Sequence, residues 1–455
     1  MKHSTPPRLA IHTSKQHTTQ CQIAWSAVRR STEKLFCVLA IALFATPFAQ
    51  AQLNIDITGV GQNQISFTVA PFVGNEGLPE DIKTIVQNDL TRSGFFKAVT
   101  TTSNVVLDEN SLIDPTAWKS IGVDAVVAGS VKKLSDGRLE IRYNIHDTVQ
   151  QKSLGRFGYI INPNSLRLES HRIADVVYEK FLGEPGIFAT RLAYVERSGN
   201  SHKLIIADSD GANPQVALAS KEPIISPSWS PDGSQLAYVS FETRKPVVFV
   251  HTLATGKRRA VANYRGSNSA PAWAPNGQTM AVVLTKDNGS QIYTMNLSGG
   301  SLTRITNTGT INTEPFYSND GKNIYFTSDR GGAPQIYRMD TSGGNVQRVT
   351  FSGNYNISPR VSPDNKTLTY VTRRDGNFRI ATLDLQTGAE AILTETDHDE
   401  SPSFAPNGRF ILYATRSRGK GVLAMVSKDA RVKQQLVSSS ANIGEPTWGP
   451  FLGKK

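Results

Sequence analysis

A proline-centred unit of about 44 residues recurs through the second half of the chain and limits the folds available to it. The prolines are separated by 44, 44, 44, 43 and 44 residues, and they are Pro227, Pro271, Pro315, Pro359, Pro402 and Pro446. The first copy reads PSWSPDGSQLAYVS, and the last one stops after PTWGPFLGKK. Internal repeats of this length, each containing four short strands, are typical of β-propeller blades.

Turn residues separate the short apolar strands within each unit. The turn pairs are Asp232-Gly233, Asn276-Gly277, Asp320-Gly321 and Asn407-Gly408. Such pairs tolerate the positive φ angles of tight hairpin turns. Asn365 takes the glycine position in the unit that begins at Pro359, and Asn tolerates this conformation better than most other residues with a side chain. We therefore predict four antiparallel strands in each unit.

Residues 187–455 are sufficient for six such blades. The first unit begins at RLAYV (191–195) without a proline-centred strand, whereas GEPTWGP (444–450) supplies that strand alone. We predict that strand 444–450 becomes the innermost strand of the first blade and closes a six-bladed β-propeller, which leaves no open sheet edge in the ring. An open solenoid is the alternative, but it does not require complementary fragments at its two ends.

Residues 52–185 lack the repeat and predict a small N-terminal α/β domain. The segment 80–96 places Ile82, Ile85, Val86 and Leu90 on one helical face. Alternating apolar residues predict strands over 53–59, 65–72, 123–134, 138–148 and 152–161. A second helix over 165–182 is predicted to end at Gly183, before a linker at 184–186. The predicted domain therefore has two helices on a mixed sheet.

The first 51 residues have the pattern of a secretory signal peptide. Arg29, Arg30 and Lys34 precede an apolar run over 35–48, and Ala49-Gln50-Ala51 follows as a cleavage motif. The run is shorter than the roughly 20 apolar residues of a membrane span. Residues 1–27 are long and polar for such a segment, so we expect a misassigned translation start within it.

Cleavage after Ala51 changes what the composition implies. It would remove both cysteines, Cys21 and Cys37, and would lower the formal net charge from +11 to +6. The mature chain would contain no thiol, which an oxidising compartment tolerates. Because the high net charge belongs partly to the targeting segment, we expect no nucleic-acid partner.

No catalytic constellation with usable spacing occurs in the sequence. It has no G-x-S-x-G elbow, Walker A loop or complete dinucleotide fingerprint. The five histidines of the mature chain are not spaced as metal ligands. Asp208-Ser209-Asp210-Gly211 resembles the beginning of a calcium loop but lacks its other ligands, and a turn between strands is the favoured interpretation. We expect no catalytic residue, no cofactor and no metal.

The repeat also predicts a charged surface around one mouth of the propeller channel. The start of the first strand and the end of the second lie at the same end of a blade. The expected inner positions are Glu222, Ala270, Thr313-Glu314, His398-Asp399-Glu400 and Glu445. The expected outer positions are Lys286, Asp329-Arg330, Arg373-Arg374, Arg416 and Arg418. An acidic ring inside a basic ring suits protein docking, and a solvated set of loop charges is the alternative.

These features together resemble the TolB family. They are a secretory segment, an α/β domain, and a propeller with P-x-W-S-P-D-G-x-x-L-A-Y-V-S units that ends in E-P-x-W-x-P. The resemblance covers the whole mature chain. Related repeats occur in tricorn-like proteases, so the domain order and the ring closure make the combination specific. The family is the periplasmic component of the Tol–Pal envelope system of Gram-negative bacteria, which implies a periplasmic location and no enzymatic activity.

The resemblance also implies partners and the residues that bind them. Pal, the peptidoglycan-associated lipoprotein, would contact Ser267, Ala270, Thr313, Glu314, Arg330 and Glu400. TolA would bind Gln52, Leu53, Asn54, Ile55, Asp56, Ile57 and Thr58. Relatives commonly carry His where this chain has Ser267. The resemblance further implies contacts with outer-membrane proteins and colicins, attachment to the outer membrane through Pal, a monomeric state, and a role in outer-membrane integrity and invagination during cell division.

A secreted hydrolase or carbohydrate-binding propeller is the competing class of protein. It would use the channel mouth as its pocket. Convergent carboxylates with a bound ligand or metal would distinguish it from a protein-binding propeller.

Overall fold

The structure is a computed structural model that describes residues 55–56, 64–101, 106–437 and 441–453. The predicted signal peptide lies outside the described residues. So do Gln52, Leu53, Asn54, Ile57 and Thr58 of the predicted TolA-binding stretch. The described residues form an N-terminal α/β region followed by a six-bladed β-propeller, which confirms the predicted fold class.

A five-stranded mixed sheet forms the N-terminal domain. Its strands are β2 (Ile65–Val69), β3 (Phe96–Ala98), β4 (Ala125–Lys133), β5 (Leu139–Asp147) and β6 (Lys152–Ile161). The spatial order is β3-β2-β4-β5-β6, in which β2 runs parallel to β3 and β4, and the remaining pairs are antiparallel. The parallel pairs require crossover connections, and helices form part of these connections.

Three α-helices occur in the described part of this domain. They are α1 (Ile82–Arg92), α2 (Pro115–Ser120) and α3 (Leu166–Leu182), with a 3-10 turn at Pro163–Ser165. The predicted apolar face of α1 is buried, and α3 ends at Gly183 with φ 73°, as predicted. The prediction of two helices missed α2. Its helix is capped by Asp114 but buries no side chain, so the sequence carries no apolar periodicity there.

Twenty-four strands form the six blades in the described residues. Blade 1 contains β7 (Arg191–Ser198), β8 (Ser201–Asp208) and β9 (Gln215–Ser220). Blade 2 contains β10 (Ile224–Trp229), β11 (Gln235–Ser240), β12 (Val247–Thr252) and β13 (Lys257–Ala262). Blade 3 contains β14 (Asn268–Trp273), β15 (Thr279–Leu284), β16 (Gln291–Asn296) and β17 (Leu302–Arg304). Blade 4 contains β18 (Asn312–Tyr317), β19 (Asn323–Ser328), β20 (Gln335–Asp340) and β21 (Gln347–Arg348), and blade 5 contains β22 (Asn356–Val361), β23 (Thr367–Arg374), β24 (Asn377–Asp384) and β25 (Glu390–Ile392). Blade 6 contains β26 (Glu400–Phe404), β27 (Phe410–Ser417), β28 (Lys420–Ser427) and β29 (Lys433–Val437).

The last strand, β30 (Asn442–Trp448), pairs with β7 and is the innermost strand of blade 1. Gly444 lies opposite Val195, and Trp448 lies opposite Leu192. The buried Trp448 indole also donates a 2.8 Å hydrogen bond from Nε1 to Oγ1 of Thr190. The two ends of the propeller are therefore joined in one sheet.

In three of the blades, the turn after the innermost strand is stabilised by the same hydrogen-bond pattern. In blade 2, the Ser230 hydroxyl donates to Oδ1 of Asp232 over 2.5 Å, and the same oxygen accepts from the amide of Ser234 over 3.1 Å. Ser318 with Asp320 and Ser362 with Asp364 repeat the contact. Asn365 has φ 59°, which confirms that it replaces the turn glycine.

A continuous apolar cluster connects the N-terminal domain with blades 1 and 6. It includes Val86 and Leu90 of α1, Tyr194 of β7 and Phe410 of β27. The short strand β1 (Ile55–Asp56) also reaches blade 6, where its backbone pairs antiparallel with β29. The N-terminal domain thus packs on the side of the propeller where the ring closes.

Candidate functional site: the propeller channel

The six innermost strands surround an axial cavity of about 1270 Å³. These strands are β10, β14, β18, β22, β26 and β30. The cavity lining combines prolines and aromatic residues with carboxylates, one of which is Glu445. Polar and apolar groups contribute about equally to this lining, so the cavity offers hydrogen-bonding and charged groups beside aromatic and proline surfaces.

Every innermost strand bulges at its repeat proline. The residue before the proline has a positive φ in all six blades: Ser226 (53°), Ala270 (46°), Glu314 (52°), Ser358 (57°), Ser401 (52°) and Glu445 (55°). The strand pairing shifts register at each of these positions. Positive φ is uncommon for residues other than glycine. Strained backbone of this kind is found preferentially at functional sites.

The bulges correct the sequence-based placement of the mouth residues. The sequence predicts these residues at the start of the first strand, but Thr313 is already paired with Thr327 inside the blade 4 sheet. The bulge lets the strand continue through the proline, which has no amide hydrogen to donate. In blade 2 the equivalent position is Ser226, and not Glu222 as expected.

Glu445 is a half-buried carboxylate in the channel. Its Oε2 accepts a 3.0 Å hydrogen bond from the backbone amide of Ser226 in the neighbouring blade. Burial raises the pKa of Glu445 to about 7, and the nearby carboxylates of Glu400 and Glu314 add to this effect. Burial also raises the pKa of Glu400. This part of the channel therefore holds carboxyl groups that resist ionisation.

Glu314 is held by several neutral donors. Its Oε2 accepts from the Ser358 amide over 2.9 Å and from the Thr327 hydroxyl over 2.7 Å. Its Oε1 accepts from the Ser358 hydroxyl over 2.7 Å. Glu314 thus joins blades 4 and 5 in the same way that Glu445 joins blades 1 and 2. Each carboxyl group accepts a hydrogen bond from the backbone amide of the bulge residue in the next blade.

Arg360 brings a positive charge into the channel and was not among the residues predicted there. Its guanidinium lies 5.3 Å from the centre of the Phe316 ring, and its NH1 donates to the carbonyl oxygen of Pro359 over 2.7 Å. Burial lowers the pKa of Arg360, and the carboxylates of Glu314 and Glu445 oppose that effect. Side chains alternate between the two faces of a strand, so the residue after each repeat proline is expected to face the axis. This alternation could have indicated Arg360 as a channel residue.

The residues that the sequence analysis assigned to Pal binding fall into two sets. Ala270, Glu314 and Glu400 line the axial cavity, whereas Ser267, Thr313 and Arg330 are not part of its lining. The Ser267 amide donates to Oγ1 of Thr285 over 2.8 Å.

Arg330 is held inside blade 4. Its NH2 donates to Oδ1 of Asn312 over 2.6 Å, and its guanidinium lies 5.1 Å from the Phe326 ring centre and 4.9 Å from that of Tyr337. These contacts fix the orientation of the guanidinium at the edge of the blade.

Only Ile55 and Asp56 of the predicted TolA-binding stretch lie within the described residues. Ile55 is paired with Gln434, and Asp56 with Lys433. This segment extends the sheet of blade 6 to five strands. Its backbone is extended and adds a strand to the edge of this sheet.

The fold and the channel define a two-domain propeller protein whose central cavity is bordered by six strained bulges, two of which carry a carboxylate, Glu314 and Glu445. The family model described as TolB amino-terminal domain matches residues 53–154, and the model described as TolB beta propeller domain matches residues 178–452. The chain belongs to the TolB family.

Named relatives match nearly the full chain. The Tol-Pal system protein TolB of Dechloromonas aromatica is 61% identical over 426 residues, covering 94% of this chain and 99% of the relative. The protein of the same name from Nitrosomonas europaea is 57% identical over 422 residues, covering 92% and 99%. The crystal structure of TolB from Acinetobacter baumannii has a TM-score of 0.81 and 38% identity, covering 88% of this chain and all of that one.

Proposed function

We propose that this protein is a non-catalytic periplasmic component of the Tol–Pal system. It binds Pal at the channel mouth and TolA through residues 52–58, and it thereby contributes to outer-membrane integrity and to invagination during cell division. Family membership supports this proposal, because relatives about 60% identical are named as Tol-Pal system proteins.

The ring of strained bulges is the observation that carries the assignment of the Pal site. Ala270 is small and half-buried, and it lines the cavity next to the blade that carries Glu314. A partner loop can approach closely at such a position. The carboxyl group of Glu445 accepts its hydrogen bond from a backbone amide, and Arg360 lies close enough to interact with it electrostatically. A loop rich in hydrogen-bond donors or basic groups complements this surface.

The periplasmic location is supported by the secretory pattern of residues 29–51. None of the helices in the described residues has the length and apolar character that a membrane crossing requires.

Binding of the soluble domain of Pal, measured by calorimetry, tests the assignment. Ala270→Arg is expected to weaken Pal binding by at least about 30-fold, which is the effect of a residue central to an interface. The matched control is Ala260→Arg on the exposed outer strand β13, which is expected to leave the affinity unchanged. Thermal melting checks that both variants fold. Equal affinities of the two variants would contradict binding at the channel mouth.

Deletion of residues 52–58 tests the TolA assignment. The shortened mature protein is expected to lose binding to the periplasmic part of TolA and to keep its affinity for Pal, because the channel lies in the propeller. Retained TolA binding would place that site elsewhere.

A carbohydrate-binding or hydrolytic channel is the second candidate function. It is favoured by one observation, the convergence of Glu400 and Glu445 in one cavity, with the pKa of Glu445 raised to about 7 by burial. Paired carboxyl groups, one of them with a raised pKa, are the machinery of glycoside hydrolysis. Saturable binding or cleavage of envelope glycan fragments that is abolished by Glu445→Gln would support this function in place of the first.

A further inference from the structure

We propose that His171, Asp208 and Asp210 form a binding site for a divalent transition-metal ion, with Zn²⁺ as the fitting ion, between the N-terminal domain and the first blade. His171 belongs to α3, Asp208 is the last residue of β8, and Asp210 lies in the turn that follows. The sequence predicts no metal site, because the histidines are not spaced as ligands along the chain. The fold brings the ligands together across two domains.

The three side chains have the separation that a metal site needs. One ligand atom from each lies within 4.8 Å of the others, and Nε2 of His171 is 3.9 Å from Oδ2 of Asp208. Tetrahedral Zn²⁺, with bonds of about 2.0–2.1 Å to nitrogen and oxygen, has ligand atoms about 3.3 Å apart. Closing the cluster onto the ion therefore requires movements of about 1 Å. A solvent molecule completes the fourth position in this geometry.

The histidine is oriented for coordination by a carboxylate on its other side. Its Nδ1 lies 2.5 Å from Oδ2 of Asp89, so the tautomer with the proton on Nδ1 leaves a lone pair on Nε2. Nε2 is buried and has no hydrogen-bond partner among the described residues, while the whole side chain is about 1% exposed. Metal-binding histidines usually have this arrangement, in which a carboxylate holds the nitrogen opposite the ion.

Among the ion-paired groups around the cluster, the carboxylates outnumber the guanidinium groups by two. The carboxylates are Glu80, Asp89, Asp208 and Asp210, and the opposing guanidinium groups are Arg92 and Arg167. A divalent ion balances this excess when His171 is neutral. Burial lowers the pKa of His171, but the carboxylates of Asp89 and Asp210 together raise it above its ordinary value, so a proton competes with the ion for Nε2.

Arg167 fixes the positions of the two aspartate side chains. Its Nε donates to Oδ2 of Asp208 over 3.0 Å, and its NH2 donates to Oδ2 of Asp210 over 2.5 Å. One guanidinium therefore holds both carboxylates on the side of the turn that faces His171. Aspartate and imidazole ligands together suit Zn²⁺, and the closed site would clamp α3 to blade 1.

The test uses the full mature protein, stripped with a chelator and titrated with Zn²⁺. We expect about one equivalent of bound zinc by elemental analysis and a melting temperature that rises with zinc concentration, since the ion binds the folded state. His171→Gln is expected to abolish both effects. The matched control is His251→Gln, because His251 is also buried with an unpartnered ring nitrogen but lies outside the metal-capable cluster.

Co²⁺ provides a measurement on the unaltered protein, which keeps the proposal testable if His171→Gln does not fold. Tetrahedral Co²⁺ bound by nitrogen and oxygen has an intense visible spectrum, and one equivalent of Zn²⁺ is expected to displace it. Absence of this spectrum would overturn the proposal. So would a melting temperature that responds to pH but not to zinc, because a proton alone would then account for His171.

Discussion

The backbone amide of Ser226 donates a 3.0 Å hydrogen bond to Oε2 of Glu445, although 219 residues separate the two in the sequence. Glu445 belongs to the C-terminal strand that completes blade 1, and Ser226 lies at the bulge of blade 2. The bond therefore ties the last strand of the chain to the blade that follows it in the ring. It also holds a carboxyl group in a site where ionisation is unfavourable.

Replacing Glu445 by Gln is expected to stabilise the protein at alkaline pH. The pKa of Glu445 is raised from 4.5 to about 7, so the folded state keeps a proton that the unfolded chain has released. The contribution of this group to the free energy of unfolding therefore falls as the pH rises from about 4.5 to about 7. Glu445→Gln removes that dependence, because its side-chain oxygen still accepts from Ser226 and never ionises.

Thermal melts of both proteins between pH 5 and pH 8 check this prediction. The melting temperature of Glu445→Gln should exceed that of the unaltered protein at pH 8, and the difference should shrink toward pH 5. Glu76→Gln, at an exposed position of the N-terminal domain, is the control. A difference that is the same at both pH values would contradict the raised pKa.

Removal of residues 445–455 is expected to open the propeller. The truncation takes away most of β30, including the pairs Thr447–Ala193 and Trp448–Leu192, and exposes the edge of β7. Exposed strand edges promote association between chains. We expect a lower melting temperature, faster proteolysis within blade 1 and formation of oligomers. Removing residues 454–455 alone is the control, and unchanged melting of the longer truncation would refute closure by β30.

Two buried tryptophans allow a matched test of the contacts between blades. Trp273 Nε1 donates to the carbonyl oxygen of Ser228 over 3.1 Å, and Trp229 Nε1 donates to that of Thr447 over 3.4 Å. Both are 8% exposed. Substitution by Phe removes the donor and leaves a smaller ring. We expect Trp273→Phe to lower the free energy of unfolding more than Trp229→Phe, by about 1 kcal/mol for the stronger hydrogen bond. Chemical denaturation measures the difference, and the reverse order would show that packing dominates.

The fold was largely predictable because its determinants are local and repeated. The hairpin turns show as Asp-Gly and Asn-Gly pairs, and Asn365 shows that the turn conformation, not the glycine itself, is required. The missing strand at the start of the propeller and the surplus strand at its end predicted the closure. The short helix α2 was missed since it buries no residue and therefore leaves no periodic pattern.

The site was less predictable because it depends on backbone geometry and on contacts between distant segments. A bulge at each repeat proline moved Thr313 into the sheet and left Glu314 at the cavity. Asn312 at the start of β18 is buried, and its Nδ2 donates to the carbonyl oxygen of Thr310 over 3.1 Å, a contact that the sequence pattern does not indicate. The pairing of His171 with Asp208 across two domains has no signal in the spacing of the residues.

Substitution of Arg92 by Met is expected to weaken the junction between the N-terminal domain and blade 1. Arg92 is 1% exposed, and its Nε donates to Oδ1 of Asp89 over 3.0 Å. Its NH2 donates to Oγ of Ser209 in blade 1 over 2.7 Å, and its guanidinium lies 5.0 Å from the centre of the Phe188 ring. Met fills a similar volume but leaves Oδ1 of the buried Asp89 without its guanidinium partner, so that His171 alone still contacts this carboxylate, through Oδ2. Breaking a buried ion pair in this way costs about 3–5 kcal/mol.

Arg138→Met is the matched control for this prediction. Arg138 also pairs with an aspartate, at 2.7 Å from Asp136, but the two side chains are 51% and 48% exposed. Exposed pairs contribute about 0–1 kcal/mol, because water and salt screen them. Urea denaturation followed by fluorescence should therefore show a large loss of the free energy of unfolding for Arg92→Met and a small one for Arg138→Met. Similar losses in both variants would mean that the Arg92 network does not hold the two domains together.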